Sequence, residues 1–315
     1  MEKNLSKPLP IIHVAAAATD ELNYIKGRKA GRIKSLKTSL TKFDSAGING
    51  LEWGSIYTIA GMSGSGKTTF VNQLEEEFFK YNPREDFLTL NFNFEMKARR
   101  LIGRKFSQGL GKTVKQIYSA DESPLDITDH EVSQAESIAK SLSTQPIFYV
   151  DTTGNVEEMR ATIMKMHKLY PEKKILVTLD HTVLVKKLGT QTATDKLYEL
   201  LAMFNECKKI ITSSYIVLSQ LNREIEATDR RTVPKLHYPI KQDLFGGDAC
   251  YMFSDVVAVI HNPYRSFDIL EYGTTKYPCR DKIFIHYLKC RDGQPFIAVM
   301  KDNLKHNKIE EETVI

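Results

Sequence analysis

The sequence predicts an α/β protein: a mostly parallel, twisted sheet with helices on both faces and antiparallel strands added at one edge. Three observations carry that prediction. From about residue 40 onward, short apolar runs alternate with longer segments of helical spacing, the pattern of strand–helix–strand units. A glycine-rich segment, Gly61-Met62-Ser63-Gly64-Ser65-Gly66-Lys67-Thr68, joins the first of these strands to the first of these helices. The 315 residues are 42% hydrophobic and 26% charged, a composition that excludes wholesale disorder and collagen-like repeats. A chain of that length buries enough surface to need no disulfide or metal staple.

Taken in order, residues 1–19 read as a poorly ordered arm. Asp20 then caps a short basic helix to about Lys29, with Leu22 and Ile25 on one stripe. Gly27 and Gly31 limit that helix and lead into a linker. Residues 1–34 are therefore an N-terminal arm and helix, 35–305 the main body, and 306–315 a C-terminal tail. Within the body, strands are predicted at 56–60, 87–92, 147–150, 175–179 and 215–218, being apolar, β-branched or aromatic. Helices are predicted between them at 68–80, 97–108, 128–142, 156–169 and 194–211 from their apolar spacing. Strands at 256–260, 283–288 and 296–300 extend one edge with antiparallel pairing. Residues 223–253, rich in turn formers and weak in periodicity, read as a long functional or mobile loop.

Charge and cysteine usage narrow the class. A net charge of +5 permits a polyanionic partner without establishing one. Cys207, Cys250, Cys279 and Cys290 include no Cys-x-x-Cys pair, which argues against zinc and a disulfide framework and for a reduced, cytoplasmic setting. Lys3 and Lys7 before an apolar run and Ala15 to Ala18 resemble a secretory leader, but two prolines and His13 interrupt the run. No stretch approaches the roughly 18 apolar residues of a membrane helix, so no membrane partner is expected.

The chemistry begins at residues 61–68, which satisfy G-x-x-x-x-G-K-[ST] between a buried strand and a helix. Glycines at Gly61, Gly64 and Gly66 let backbone N–H groups converge on phosphate oxygens, alongside Ser63, Ser65 and Thr69. The helix N-terminus adds positive potential. Lys67 is expected to neutralise the β- and γ-phosphates of ATP, and the Thr68 hydroxyl to join the Mg²⁺ shell. Asp180, closing the apolar run Ile175-Leu176-Val177-Thr178-Leu179, is the expected second magnesium group. Asp151 also ends a strand but reads as a turn or cap residue. Glu95 follows the second strand, where its carboxylate can reach the same crevice and orient water.

This constellation resembles the DnaB-type replicative helicases. The P-loop, Phe94-Glu95-Met96, Asp180, Val217-Leu218-Ser219-Gln220-Leu221-Asn222-Arg223 and Lys289-Cys290-Arg291-Asp292-Gly293 occur in that family's order. Phe43-Asp44, Gly50-Leu51, Gly54 and Asp151-Thr152-Thr153-Gly154 add to the likeness, which covers roughly residues 35–300. The resemblance implies a RecA-like P-loop NTPase core and an ATP hydrolase that works as a DNA helicase. It makes Glu95 the catalytic base, Asp180 the magnesium and water organiser, and Gln220 the sensor of the γ-phosphate. Lys289 and Arg291 become a pair inserted into a neighbouring subunit's site, with Arg291 as arginine finger. It further implies a hexameric ring on single-stranded DNA moving 5′→3′, with primase and a helicase loader as partners. The helix of the arm becomes a linker helix packed on the adjacent subunit.

The sequence departs from that family in three places. The family's N-terminal helical domain has no counterpart before residue 35. His181 stands where a tyrosine often follows Asp180. Asp243-Leu244-Phe245-Gly246-Gly247-Asp248 replaces a loop that offers Arg and Glu to DNA, so Gly246 and Gly247 backbone groups and a stacking Phe245 are the expected substitutes. Lys186, Lys187, Arg223, Arg230, Arg231, Lys235 and Lys241 supply positive charge to the expected central loops. Two other classes compete: a RecA-like DNA-binding ATPase without unwinding, such as a recombination mediator or helicase loader, and a regulatory ATPase ring that binds protein.

Overall fold

A computed structural model describes residues 9–118 and 127–311. The first eight residues of the expected arm, with Lys3 and Lys7, lie outside the described residues. The chain divides into a unit ending at Ser35 and a larger unit from Leu36 onward.

The first unit is helix α1, Val14–Lys29. It starts six residues before the expected Asp20 because the Ala15–Ala18 run is the best helix-forming stretch available. The His13 side chain caps it by accepting from Ala15 N at 3.2 Å, and Lys26, Arg28 and Lys29 complement the dipole at its other end. Leu22 and Ile25 are about half exposed at 49% and 53%, so the apolar stripe is not covered within this unit.

In the second unit come α2 (Thr41–Ala46), β1 (Ile56–Gly61), α3 (Lys67–Tyr81), β2 (Phe87–Asn93), α4 (Ala98–Leu110) and α5 (Val114–Tyr118). Then follow α6 (Asp129–Ser143), β3 (Ile147–Val150), α7 (Val156–Leu169), β4 (Lys174–Asp180), α8 (Ala193–Ile210) and β5 (Ser213–Gln220). The last third holds α9 (Thr228–Thr232), α10 (Gly247–Phe253), β6 (Val256–His261), β7 (Ile269–Tyr272), β8 (Thr275–Pro278), β9 (Lys282–Cys290), β10 (Phe296–Asn303) and β11 (Lys308–Glu311). Nine of the described strands form one sheet in the order β11-β10-β9-β6-β1-β5-β4-β2-β3. Strands β1 to β6 pair in parallel with one another, and β9 to β11 continue the edge antiparallel.

Two faces of this sheet are buried, which is why the central strands read as unbroken apolar runs. Leu88, Leu90 and Phe92 of β2 and Ile175, Val177 and Leu179 of β4 pack on the side covered by α7 and α8. On the other side Phe70, Leu74 and Phe78 of α3 pack against Ile59, Ile216 and Leu218. Capping boxes start three helices where the sequence places them: Thr128 with Glu131, Asn155 with Glu158, and Thr192 with Asp195.

Three expectations are corrected. The strand at 256–260 is not an antiparallel addition on both sides: β6 runs parallel to β1 and only its β9 pairing is antiparallel. Residues 223–253 are not one loop, since α9, α10 and several 3₁₀ turns order them. The tail from residue 306 contributes β11, whose Ile309 exchanges N–H and C=O bonds with the Gln73 side chain at 2.9 Å each. An edge strand this short carries too little pattern to be read from sequence.

The β7–β8 hairpin, a separate two-stranded sheet, adjoins three buried histidines. His261 Nδ1 lies 3.3 Å from His286 Nε2, Tyr272 Oη lies 3.3 Å from the same nitrogen, and the His237 ring centroid is 4.8 Å from that of His261. Burial lowers the pKa of all three, that of His286 to about 3, with neighbouring histidines and Arg230 adding to the effect and Asp243 opposing it at His237. Neutral rings therefore contribute stability that is complete above the unfolded value of about 6.5. It is lost as pH falls from there toward the folded values. For His286 the loss by pH 5 should be about 2 kcal/mol, because each unit withdraws about 1.4 kcal/mol. Urea midpoints measured between pH 7.5 and 5 should fall, and His286→Phe should flatten the slope; a midpoint independent of pH would contradict this.

Candidate active site

The site is built on the C-terminal ends of β1, β5, β4 and β2, where a parallel sheet presents its loops to ligands. β1 ends at Gly61 and runs into residues 62–66. Gly66 has φ +100° and opens α3, a conformation that a side chain would strain. The loop tip, Ser63 and Gly64, is exposed, whereas Ser65, Lys67 and Thr69 are buried. Lys67 Nζ folds back to donate to Gly61 O at 2.8 Å and Met62 O at 2.9 Å. Burial lowers its pKa, against the pull of Asp180 and Glu95. An ammonium held this way by two carbonyls is available to exchange them for phosphate oxygens.

Thr68 Oγ1 donates to Asp180 Oδ2 at 2.8 Å. Two segments more than a hundred residues apart thus bring together the two groups expected at the magnesium. Asp180 is buried, and its pKa is raised by desolvation and by Glu95, with the Thr68 bond opposing. A buried carboxylate in that state takes up either a proton or a cation, and the pair consists of hard oxygen donors. These residues therefore fit Mg²⁺. Among the described residues no group of three His, Cys, Asp or Glu could hold a metal by itself.

A cleft of about 290 Å³ joins these groups. Its walls include Gly66, Lys67, Thr68, Glu95, Asp180 and Gln220. Glu95 stands past the end of β2 with its side chain 55% exposed, and His181 Nε2 lies 3.6 Å from Glu95 Oε2. The same His181 nitrogen is 3.2 Å from Gln220 Nε2, so the imidazole sits between the carboxylate and the amide. Burial lowers the His181 pKa, which favours the neutral ring there. Gln220 also walls a second cavity of about 530 Å³ with Arg223, Arg231 and the back of the P-loop. Gln220, together with Ser63, therefore lies between this cleft and the basic segment after β5.

Five cleft residues escaped the sequence reading as site residues: Met96, beside Glu95, and His181, Arg104, Leu304 and Asn307. His181 directly follows Asp180, and its position was the available signal. Arg104, on α4, lines the cleft; burial lowers its pKa while Asp180 and Glu95 oppose that shift. Leu304 and Asn307 reach the cleft from the turn between β10 and β11. A Cβ on Gly66 would lie 2.6 Å from Leu304, and Asn307 Nδ2 donates to Ser107 Oγ of α4 at 2.9 Å. Asp151 is a cap, but of α4: its carboxylate accepts from Ala98 N at 3.1 and 3.2 Å.

Other expected residues lie elsewhere. Arg291 follows β9 beside the start of β1, where its Nε meets Asp255 Oδ1 at 2.7 Å while Asp255 Oδ2 accepts from Ile56 N at 2.8 Å. The length of β1, roughly 20 Å, separates it from its own P-loop. Lys289 Nζ donates to Tyr251 O, and burial lowers its pKa with help from Arg291. Lys186, Lys187 and Arg223 are exposed. Lys241 pairs with Asp248 at 2.6 Å and lies 5.4 Å from the Tyr251 ring centroid, and Lys235 is 3.7 Å from Glu271.

Arg230 is not a free loop charge. It forms a bidentate pair with the fully buried Asp243 and donates to Leu236 O and Tyr238 O. Phe245 packs against the core and its N–H donates to Gln220 O at 3.0 Å. Gly246, at φ +61°, opens α10, and the Gly247 N–H donates to Leu244 O at 3.0 Å. In this arrangement the Gly247 amide expected to meet phosphate is already used, and the Phe245 ring expected to stack on bases is half-buried.

Among the described residues no helix is long and apolar enough to cross a membrane. No curated protein matches the chain. Among solved structures, the ATPase domain of a phage helicase superposes with a TM-score of 0.80 at 15% identity, covering 96% of this chain and 100% of that one. A DnaB-like replicative helicase, described with its interactions with primase, gives a TM-score of 0.75 at 15% identity over 94% of this chain and 66% of that one. At 15% identity these superpositions show a shared fold, the mostly parallel α/β sheet with antiparallel edge strands. The sequence itself matches the DnaB-like helicase C-terminal domain over residues 35–296, and with its P-loop, Asp180 and Glu95 in one cleft, the chain belongs to that family.

Proposed function

We propose that this protein is an ATP-driven helicase motor that assembles as a ring, a hexamer, and translocates 5′→3′ along single-stranded DNA. The observation that carries the reading is the meeting of Thr68 and Asp180 at 2.8 Å in the cleft that also holds Lys67 and Glu95. Lys67 and the loop amides would hold the β- and γ-phosphates, and Thr68 and Asp180 would hold Mg²⁺, which would shield phosphate charge when bound. Glu95 would orient and deprotonate the attacking water. Arg104 adds a guanidinium on the same wall, suited to charge that develops on the transferred phosphoryl group.

Gln220 and His181 would link phosphate occupancy to the segment after β5, since they touch each other and Gln220 walls both cavities. Arg291 would serve a neighbouring subunit's site. Its distance from its own P-loop supports that reading, as does Asp255 taking the Nε–H while phosphate would take the two terminal nitrogens. The exposed Lys186, Lys187 and Arg223 would meet the DNA backbone. The half-exposed Leu22–Ile25 stripe of α1 would pack on the adjacent subunit. Primase and a loader are the partners this reading brings with it.

The test is ATP turnover with and without single-stranded DNA, followed by unwinding of a 5′-tailed fork. DNA-stimulated turnover with strand separation is expected. Stimulation without separation would make this a DNA-binding ATPase of the mediator or loader kind, and turnover indifferent to DNA would make it a regulatory ring.

A further inference from the structure

Beneath the nucleotide cleft, the faces of β2 and β4 turned toward α3 become polar past Phe87 and Leu176. Thr89, Asn91 and Asn93 of β2 and Thr178 and Asp180 of β4 are all buried there, while the opposite faces are wholly aliphatic or aromatic. Glu75, from α3, is the centre of this layer. Its Oε1 accepts from Thr89 Oγ1 at 2.5 Å and from Asn91 Nδ2 at 2.6 Å, and its Oε2 from Lys105 Nζ at 2.8 Å. Asn91 Oδ1 in turn accepts from Thr178 Oγ1. The side chains of Lys105 and Glu75 are 0% and 4% exposed, and Glu76 adds a second carboxylate 3.8 Å from Lys105.

A buried ion pair adds little stability over apolar side chains of the same volume, so its consequence is sought in geometry. Each element tied to Glu75, directly or through Asn91, delivers at least one group to the cleft. α3 begins with Lys67 and Thr68; β2 leads to Glu95; β4 carries Thr178 and Asp180 on the same side, two residues apart; α4 carries Arg104 next to Lys105. The layer also touches the reacting centre directly, because Thr68, Glu75, Asn91, Thr178 and Asp180 wall one small cavity of about 20 Å³. Asn72 of α3 adds a parallel tie to Leu101 O of α4 at 3.3 Å.

We propose that the Glu75 carboxylate is a positioning residue for ATP hydrolysis: it locks α3, β2, β4 and α4 in one register, so that Glu95, Asp180 and Arg104 converge on the P-loop before nucleotide arrives. The proposal rests on the ATPase reading above. Pre-set geometry acts on turnover more than on binding, since loop amides and Lys67 hold the phosphates without it.

The experiment uses the full chain and measures melting temperature, KM for ATP and kcat across three variants. Glu75→Leu/Lys105→Met removes both charges and the acceptor together. It should melt within about 5 °C of wild type, keep KM within about twofold, and lose about tenfold or more in kcat. Glu75→Gln/Lys105→Met returns an acceptor oxygen to Thr89 and Asn91 and should recover kcat to within about threefold of wild type. Thr178→Val, which breaks one bond and buries no charge, should lower kcat several-fold at unchanged KM. Wild-type kcat in Glu75→Leu/Lys105→Met would overturn the proposal, as would wild-type kcat in Thr178→Val should the double variant not fold. A kcat that follows melting temperature, rather than the presence of the acceptor, would overturn it too. Wild-type protein that does not hydrolyse ATP would instead sink the ATPase reading, and the positioning role with it.

Discussion

Glu95→Gln protein should bind MgATP as the wild type does and hydrolyse it at least about a hundredfold more slowly, the scale of losing a general base. The substitution keeps the size of the side chain and the reach toward His181, now 3.6 Å away. It removes only the capacity to take a proton. Glu95 lines the cleft but is not part of the loop that would grip phosphate, so binding should survive. Lys67→Ala gives the contrasting pattern, because the ammonium that now rests on Gly61 O and Met62 O would be missing from the bound phosphates. Both binding and turnover should then weaken. Nucleotide affinity by fluorescence titration, set beside single-turnover rates, separates the two patterns. Near-normal turnover in Glu95→Gln would remove this residue from the mechanism.

Arg291→Ala protein should lose activity on the order of a thousandfold, the scale of an arginine supplied in trans, and regain part of it when mixed with Lys67→Ala protein. Neither mutant has a complete site of its own. In a mixed ring, an Arg291→Ala subunit keeps a working P-loop, and a Lys67→Ala neighbour offers it an intact Arg291. Random assembly at equal amounts makes roughly a quarter of interfaces complete in this sense. The position of Arg291 requires such an arrangement if it acts at all, since it is fixed to Asp255 at the start of β1 and the P-loop leaves from the end. Activity no greater than the sum of the separate mutants, with co-assembly demonstrated by mass, would reduce Arg291 to a surface residue held by Asp255.

Much of the cleft was legible because its chemistry is local in sequence. The P-loop needs consecutive residues: glycines that turn the backbone, a lysine and a threonine at the head of a helix. Asp180 was legible for a related reason, since a carboxylate ending a wholly apolar strand is rare and lies where parallel sheets bind ligands. Glu95 was weaker, and needed the neighbouring signals to stand out from an ordinary helix-start glutamate. Arg104, Leu304 and Asn307 carried no such mark. Arg104 sits in a basic helix among Arg99, Arg100 and Lys105, and nothing in the run says which cation turns inward. Leu304 and Asn307 enter the cleft only because β10 and β11 cross back beside α3.

The basic segment after β5 shows what the sequence leaves open. Arg230 is held by the buried Asp243, Lys241 pairs with Asp248 at the surface, and the Gly247 amide bonds to Leu244 O. A sequence gives the number of charges but not their partners, and a buried carboxylate such as Asp243 takes the nearest guanidinium it can reach.

By itself the sequence determined the alternation of strands and helices, the buried central sheet, the glycine-rich loop and the two carboxylates that share its cleft. All of these follow from periodicity, strand-end position and short contiguous motifs. Only the tertiary structure decided the strand order, the parallel pairing of β6, and the meeting of Thr68 with Asp180 at 2.8 Å. It alone placed His181 between Glu95 and Gln220, and Glu75 with Lys105 beneath the cleft. The reason is physical: side-chain type and spacing fix local conformation, but which distant groups share a buried, low-dielectric space is settled by how the elements pack, and there a single partner decides whether a charge is structural or reactive.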